Sequence, residues 1–511
     1  MVDAEKILPL TEIQKVGTVK RDVVYNEVSD VPMPSENNVT LTEEEVLAAY
    51  RAHSEFLKYK IQTNTDEICV NNGGTAYYFS SFRGNNNNSG TSPDEPFCDL
   101  EVLDSLNLKP FDVVYFERGS FWRRGFTAKV ENVTYTAYGT GPKPMMYGSP
   151  VDGATYGSWE ETDEPNVWVY SHKVHHELEL GSIIFNNGES WAPKVVIREE
   201  SDGKLFDNTT GDPFYSYKDL KRDLHFYYDY FWQTGLIYLR CESGNPAKVF
   251  NNIEFNFRKG IVCVEANGVT VDNICFKYTG AHAVSGGTLT DLTVQNCEFY
   301  FIGGSILTNG WGRNYATRFG NAVQIYGGCN GYYVRNNYMF QIYDTGITFQ
   351  YSVPEGKSAQ MRNVDVSGNV MDYCNWSFEY FLDGGNPTQS YIRNVNVHNN
   401  MLWYAGYGLC EERPDKTDDA HIKGWDHGNS CLGNFLIEDN LFAFAKTQLV
   451  HTNASVGNQA PKYSNNIYIQ KENSNLGRSK SVKENAKFNK QAAVAAKEML
   501  GDSTAKIIFV K

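Results

Sequence analysis

An internal repeat between about residue 250 and residue 455 restricts the possible folds of this chain more than any other feature. In each repeat an apolar or β-branched strand leads to an asparagine, and a second apolar strand, a polar or Gly-containing turn and a third strand follow. The aligned asparagines are Asn273, Asn296, Asn337, Asn369, Asn400 and Asn440. Their spacings of 23, 41, 32, 31 and 40 residues indicate a minimal coil of 23 residues that carries insertions of variable length.

Asparagine suits the tight bend between two strands of such a coil. It tolerates a left-handed backbone, and its amide can bond to the asparagines of the coils above and below. A β-propeller or a β-sandwich would instead require regularly spaced Asn-Gly hairpin turns, which are sparse here. The sequence therefore predicts an all-β chain folded as a right-handed parallel β-helix, a solenoid with three sheets.

The chain divides into three stretches. Residues 1–66 are expected to be an N-terminal extension whose helix begins after the N-cap Thr42 and caps the first coil. Residues 67–470 form the predicted β-helix, with a strand-rich embellishment at about 150–245 in which LHFYYDYFWQTGLIYLRC indicates two paired strands. Residues 471–511 are predicted to be a polar tail and an amphipathic helix that covers the last open coil.

Composition limits the possible partners. The net charge of −15 and the pI near 5.2 give an acidic surface, which argues against nucleic acid. No apolar run approaches the roughly 18 residues of a membrane span, and the ten cysteines show no metal-site spacing, so no metal is expected. The opening MVDAEKILPL lacks signal-peptide features; we nevertheless expect, from the fold, a secreted or cell-surface bacterial protein whose signal peptide is absent from this sequence.

Four long insertions follow the third strand of the repeat, after Ile306, Gln350, Phe381 and Glu411. Insertions at one corner of a solenoid build a cleft on one face. Side chains on the third strand also alternate between the interior and the cleft, which places Thr348 and Glu379 on adjacent coils, roughly 4.8 Å apart. The substrate-binding candidates from both arguments are His282, Trp311, Arg318, Gln324, Gln350, Glu411, Arg413, His421 and Trp425.

Carboxylates are concentrated around this predicted cleft. A stack of like charges without an obvious basic counterpart raises carboxyl pKa values toward those of general acids. Two carboxyl groups roughly 5 to 9.5 Å apart hydrolyse glycosidic bonds. The catalytic candidates are Asp344, Glu379, Asp419 and Asp426. Structural roles compete with this interpretation, because Asp344 in YDTG suits a turn and Asp419 and Asp426 suit an ordinary loop; Glu379, amid apolar residues on a strand, is harder to explain structurally.

Several stretches carry a resemblance to bacterial β-helix proteins of the glycoside hydrolase and polysaccharide lyase group, over roughly residues 68–470. They are GTSPDEPF, FDVVYFERGSFWRRG, GNAVQIYGG, YDTGITFQ, FEYF and GYGLCEERPD followed by AHIKGW. The chain is also similar to the lacto-N-biosidase type of β-helix hydrolase, a resemblance that implies a retaining mechanism with two aspartates seven positions apart. Asp419 and Asp426 match that spacing, whereas Asp344 would pair with Tyr351.

The leading hypothesis is a cofactor-free glycoside hydrolase that acts on a neutral glycan. One alternative is a polysaccharide lyase, which needs a base and charge neutralisation by residues such as Arg318, Arg413, His421 and Lys423, or by calcium. Another is a non-catalytic glycan-binding β-helix. Acids outnumber bases in the predicted cleft, which favours the neutral glycan. A helper subunit or chaperone is compatible with this sequence, which leaves the sugar, the linkage and the oligomeric state open.

Overall fold

The computed structural model describes residues 34–69, 73–154, 159–172, 179–229, 234–307, 317–385, 389–413, 418–425, 431–452, 461–478 and 485–511. These residues wind into a parallel β-helix, as the repeat predicts, and its coils present three faces. Face 1 is a ten-stranded parallel sheet made of Ala76–Phe79, Val113–Glu117, Thr134–Tyr138, Thr270–Asp272, Leu289–Gln295, Cys329–Arg335, Gln360–Ser367, Tyr391–His398, Cys431–Glu438 and Lys462–Ser464.

Faces 2 and 3 are joined by two long strands, Tyr338–Val353 and Val370–Gly384, which bend from one face to the other. The other strands of face 2 are Phe121–Trp122, Met145–Tyr147, Cys275–Thr279, Glu298–Ile302, Met401–Ala405, Leu441–Ala445, Ile467–Lys471, Lys506–Val510 and Val39–Leu41. Those of face 3 are Phe126–Ala128, Val262–Val264, Val284–Gly286, Val323–Tyr326, Ala420–Gly424, Val450–Thr452 and Asn475–Arg478, the last of which pairs antiparallel with Ala486–Lys487.

The core is a stack of apolar side chains that repeats from coil to coil. On face 3, Ile347, Phe378 and Ile422 are in register and fully buried. They belong to one continuous apolar cluster that extends from Phe79 to Phe509. Because inward and outward side chains alternate along each strand, this inward stack fixes which residues face the cleft.

The asparagines of the repeat occupy two different positions, which corrects the alignment made from the sequence. Asn273 and Asn296 have left-handed backbone angles, with φ of 56° and 52°. Asn337 and its successors lie one position later and form a buried ladder, in which each Nδ2 donates to the next Oδ1. The ladder runs through Asn337, Asn369, Asn400, Asn440 and Asn466 and ends on Asp502. The left-handed backbone position and the hydrogen-bonded amide position are thus occupied by separate residues.

A helix near the N-terminus begins after Thr42, which caps it as the sequence predicts. Its segments are Glu43–Val46, a π-helical turn at Leu47–Arg51, and Ala52–Thr63. The helix lies along the outside of face 2, where Arg51 pairs with Asp372 and Ser54 accepts from the indole of Trp403. It therefore covers the side of the stack, whereas the sequence predicted that it would cap the first coil.

The two ends of the core are covered by shorter helices. At the first coil, Leu103 of the helix Glu101–Ser105 packs into the core. At the last coil the core is covered by the helix Ala492–Ala495 and the π-helical turn Ala496–Leu500 that continues it. The side chains that pack into the core are Ala492, Ala496 and Leu500. The predicted C-terminal helix lies where the sequence placed it, but the tail also supplies the face 2 strand Lys506–Val510.

The region around residues 150–257 forms small antiparallel sheets on the side of the β-helix. Phe226–Tyr228 pairs antiparallel with Ile237–Arg240, as predicted from the sequence. The remaining strands are Trp159–Glu161, Val167–Tyr170, Leu180–Phe185, Ser190–Ala192, Ile197–Glu199, Leu205–Asp207 and Ile253–Phe257, and the helical turns are Asn186–Gly188, Tyr217–Asp219 and Pro246–Val249. This embellishment contacts the hairpin of Ser305–Ile306 and Arg318–Phe319, which borders the candidate site.

Candidate active site

A row of polar side chains follows the outer surface of face 3, one from each coil. Strand register places Ser285, Gln324, Thr348, Glu379, Lys423 and His451 in this row, which we call the face 3 row. The order of Gln324, Thr348 and Glu379 agrees with the alternation read from the sequence. Glu411 does not take the next place, which Lys423 occupies, so the row contains a cation that the sequence analysis did not place there.

Glu379 is the central acid of this row. Only 3% of the residue is exposed, and both of its carboxylate oxygens accept hydrogen bonds from uncharged donors. The hydroxyl of Thr345 donates to Oε2 over 3.1 Å, and the indole N–H of Trp425 donates to Oε1. These two hydrogen bonds fix the orientation of the carboxyl group.

Asp344 directly precedes Thr345 and is also buried, with 7% exposed. Arg413 donates from Nη1 to Oδ1 of Asp344 over 2.6 Å, and the same guanidinium donates from Nη2 to the carbonyl of Arg318 over 3.0 Å. A buried charge-assisted pair of this kind favours the ionised carboxylate. Asp344 and Glu379 thus lie on adjacent coils, and both are buried.

Two tryptophans connect these acids. The Trp376 ring centroid lies 5.3 Å from the Arg413 guanidinium carbon and 5.6 Å from the centroid of Trp425. The Lys423 ammonium lies 3.9 Å from the Trp425 ring. Trp376 is fully buried, whereas Trp425 is partly exposed. An indole face beside a carboxylate is typical of sugar sites, because the apolar face of a pyranose packs on it, and Trp425 is the tryptophan that can serve in this way.

A second charged group adjoins Glu379 on the C-terminal side of the row. Lys423 donates to Asp418 Oδ2 over 2.5 Å, and its ammonium lies 3.0 Å from His451 Nδ1. Burial tends to raise the pKa of Asp418, but the hydrogen bond from His451 and the charge of Lys423 outweigh it and lower that pKa. Burial lowers the pKa of His451 despite the nearby Asp418, so this ring is neutral at pH 7.

Asp419 and His421 lie outside this arrangement of acids. Asp419 accepts from the backbone N–H and the hydroxyl of Thr447, at 2.8 and 2.5 Å, and burial raises its pKa to about 6. His421 is fully buried between Ser377 and the carbonyl of Ala443, and burial lowers its pKa to about 3. The placement of His421 on the cleft is therefore wrong, because its ring packs parallel to that of the core residue Phe442.

Two further substrate-binding candidates have structural contacts. The guanidinium of Arg318 is fully buried and donates to the carbonyls of Gly304 and Gly181, so it holds the embellishment against the hairpin. Glu411 lies on the 3₁₀ turn Gly408–Glu412, where its carboxylate is 3.6 Å from the Lys446 ammonium. The chain forms this helical turn where a third strand was expected, so Glu411 is not on a strand and has no place in the face 3 row.

The remaining described candidates border the N-terminal side of the acids. His282 accepts from the backbone N–H of Asn321 over 3.1 Å, and burial lowers its pKa to about 4 despite the charge of Asp344. Oε1 of Gln324 accepts from Asn321 at 2.5 Å and from Gln350 at 3.2 Å. Trp311 and Asp426 lie outside the described residues, so the spacing argument for Asp419 and Asp426 is not tested.

Sequence reasoning missed three members of the site: Thr345, Asp418 and His451. Strand alternation does not identify Thr345, because the register shifts between Ile342 and Thr345. Asp418 lies before the strand Ala420–Gly424, where alternation does not predict which way a side chain points. The sequence therefore could not distinguish Asp418 from Asp419. His451 has the one usable signal, since the short segment LVHT continues the face 3 row by one coil.

Among the residues that the structure describes, no group of three or more His, Cys, Asp or Glu side chains is arranged to hold a metal ion. Within the same residues, no helix is long and apolar enough to cross a membrane.

No protein-family model and no curated protein matches the chain. Among solved structures, a complex of XylC with xylose matches at 11% identity and a TM-score of 0.43, over 81% of this chain and 73% of that one. A GH136 lacto-N-biosidase from Eubacterium ramulus, the type that the sequence resembles, matches at 12% identity and a TM-score of 0.41, over 92% and 73%. PfbA, a surface adhesin of Streptococcus pneumoniae, matches at 11% identity and a TM-score of 0.27, over 72% of this chain and 81% of that one. These likenesses are distant.

Proposed function

We propose that the protein is a glycoside hydrolase in which Asp344 and Glu379 are the two catalytic carboxyl groups. The observation that carries this proposal is that two buried carboxyl groups lie on adjacent coils of the β-helix. Asp344 is ion-paired with Arg413, and Glu379 accepts hydrogen bonds from the hydroxyl of Thr345 and the indole of Trp425. Two nearby carboxyl groups are the requirement for acid-assisted cleavage of a glycosidic bond.

We assign the two roles from the ion pair of Asp344. Asp344, kept ionised by Arg413, acts as the nucleophile or as the base that activates water. Glu379 donates its proton to the departing glycosidic oxygen, and Trp425 and Thr345 hold its carboxyl group in place. This chemistry needs no cofactor, because the two carboxyl groups supply both charge stabilisation and proton transfer.

A neutral glycan fits the N-terminal part of the cleft. There the face 3 row offers the hydroxyl of Thr348 and the amides of Gln324 and Gln350, which match sugar hydroxyls in hydrogen-bonding capacity. A secreted or cell-surface location accompanies this proposal, since polymeric glycans lie outside cells.

The first test compares Glu379→Gln with Asp344→Asn on a panel of aryl glycosides that differ in leaving group. We expect kcat of Glu379→Gln to fall about 10²–10⁴-fold on substrates with poor leaving groups. On dinitrophenyl glycosides kcat should change little, because dinitrophenolate departs without a proton. Asp344→Asn is expected to lose activity on both. The control is Glu438→Gln on face 1, whose carboxylate accepts from Asn396 and Ser464. Equal losses of Glu379→Gln on all leaving groups would contradict the assignment of the proton donor.

One observation favours a polysaccharide lyase as the second candidate. Neutral His451 lies between the cations Lys423 and Arg478, an arrangement that could neutralise a uronate and remove its α-proton. The ultraviolet absorbance of unsaturated products, recorded with uronate polymers, separates the two reactions. Cleavage accompanied by that absorbance and abolished in His451→Gln would replace the hydrolase proposal.

A further inference from the structure

A cavity on face 3 lies on the N-terminal side of the proposed catalytic acids, and its nearest lining residue in the face 3 row, Gln324, is two coils from Glu379. Its volume is about 350 Å³, and it is lined by Cys263, Val264, Glu265, Ser285, Gly286, Gly287, Thr288, Leu289 and Gln324. Cys263, Ser285 and Gln324 are in register with one another and continue the face 3 row toward the N-terminal coils. The cavity and Glu379 therefore share one straight row.

The distance along this row suits an extended ligand. Three coil steps separate Ser285 from Glu379, through Gln324 and Thr348. At roughly 4.8 Å a step, they span about 14 Å, which a short oligosaccharide bridges and a monosaccharide does not. A glycan cleaved at Glu379 can thus reach the cavity without leaving the face.

Polar groups along this path lack partners in the described structure. The hydroxyl of Thr348 is buried and has no hydrogen-bond partner there. Gln324 is 8% exposed, and both hydrogen bonds of its side chain are accepted by Oε1, which fixes the amide and leaves Nε2 available as a donor. A buried hydroxyl without a partner destabilises the protein, and a hydrogen bond to a sugar hydroxyl would remove that cost.

The cavity lining selects for an uncharged ligand. Ser285 and Thr288 offer hydroxyls, and Gly287, which has open space where a side chain would lie, lets a ring approach the backbone closely. Glu265 is the one charged residue of the lining, and it disfavours a uronate or a sulfated sugar while it can accept from sugar hydroxyls.

We propose that this cavity is a distal subsite for the uncharged end of an oligosaccharide whose scissile bond lies at Glu379. This inference rests on the proposed function, because it assigns the direction in which the substrate extends from the catalytic acids. The ligand runs parallel to the β-helix axis, past Thr348 and Gln324, and ends against Ser285 and Cys263.

Cys263 provides a direct probe, because its thiol is exposed at the far end of the cavity. The full-length protein is alkylated with N-ethylmaleimide, and modification of each cysteine is followed by peptide mass spectrometry. The ligands are xylo-, gluco- and N-acetylglucosamine oligomers of one to six units. We expect at least one tetra- to hexasaccharide series to slow alkylation of Cys263 more than threefold, with no effect of the monosaccharide. Cys69, which is exposed elsewhere, is the internal control.

A variant pair tests the same subsite by kinetics. Ser285→Trp fills the cavity, so we expect kcat/KM for a hexasaccharide to fall at least tenfold more than kcat/KM for the disaccharide. Thr127→Trp is the matched control, because Thr127 lies on the same face in register with Cys263 and does not line the cavity. Thr127→Trp should leave the ratio of kcat/KM for the hexasaccharide to kcat/KM for the disaccharide unchanged.

The outcomes separate the two proposals. Hydrolysis without protection of Cys263, and with no chain-length effect of Ser285→Trp, overturns the subsite alone. Protection without any hydrolysis supports the subsite and overturns the proposed activity. Absence of both with every oligomer overturns both proposals.

Discussion

Asp419 shows what burial does to one carboxyl group of this fold. Burial raises its pKa to about 6, although two hydrogen bonds from Thr447 act in the opposite direction. The protonated form is thus favoured in the folded protein relative to the unfolded chain. The stabilising contribution is complete below about pH 4, the ordinary pKa of aspartate, and is lost as the pH rises through 6.

Replacement of Asp419 by Asn should therefore flatten this dependence. We expect the free energy of unfolding of Asp419→Asn, relative to wild type, to increase by up to about 3 kcal/mol between pH 4 and pH 7. Urea titrations at several pH values measure it. Asp365→Asn is the control of opposite sign, because hydrogen bonds from Arg335 and Ser367 outweigh burial and lower the pKa of Asp365. A relative stability of Asp419→Asn that does not change with pH would contradict the raised pKa.

Residue positions were predictable from the sequence only where a strand imposes alternation. Glu379 and Gln324 follow from an outward position on the third strand, and both lie in the face 3 row. His421, a candidate from its place in the insertion after Glu411, instead turns into the core, where its neutral imidazole lies between Ser377 and a backbone carbonyl. Asp418 and Asp419 could not be told apart, because their contacts depend on His451 and Thr447, which follow some 30 residues later.

At the scale of elements, the asparagine ladder separates two physical demands that a single-sequence alignment merges. Asn400 is buried, accepts from Asn369 and donates to Asn440. Its neighbour Asn399 is exposed and has a left-handed backbone with φ of 54°. One position satisfies buried hydrogen bonds, and the other relieves backbone strain.

These two residues should respond differently to alanine. Asn400→Ala leaves several buried donors and acceptors without partners, so we expect a loss on the order of 3 kcal/mol or more in the free energy of unfolding. Asn399→Ala should lose only about 1 kcal/mol, the cost of a left-handed alanine. Urea-induced unfolding followed by circular dichroism measures both. Equal losses would mean that the ladder does not contribute beyond its backbone geometry.

The N-terminal helix depends on a buried ion pair. Both terminal nitrogens of Arg51 donate to the carboxylate of Asp372, whose side chain is fully buried. Arg51→Met leaves that carboxylate uncompensated, and we expect a loss of about 3–5 kcal/mol. Arg335→Met, which removes the more exposed pair with Asp365, should lose less than about 1 kcal/mol. Similar losses in the two variants, measured by urea titration, would contradict the buried role of Arg51.

The sequence analysis placed this helix at the first coil, which is wrong. Its N-cap and its amphipathic spacing were readable, but Arg51 reaches Asp372 and Ser54 reaches Trp403 across more than 300 residues. Local patterns predict that a helix forms and where it begins. They contain no information on which side of a solenoid it covers, since that depends on cavities and charges created by distant coils.

For the whole molecule, the repeat was sufficient to predict the architecture. Alternation and asparagine spacing led to the parallel β-helix, because each coil buries its apolar side chains only against its neighbours. The antiparallel embellishment was readable as strands but not as a neighbour of the site. Its contact with the cleft depends on Arg318, whose guanidinium bonds two carbonyls that are far apart in the chain.

The pairing of Val39–Leu41 with Lys506–Val510 determines the order in which this molecule can be completed during synthesis. A ribosome produces residues 39–41 well before residues 506–510, so the two strands cannot meet until every coil between them has been synthesised. Those coils can stack as they appear, because each needs only its predecessor. Val39–Leu41 therefore remains without its partner strand while the solenoid grows.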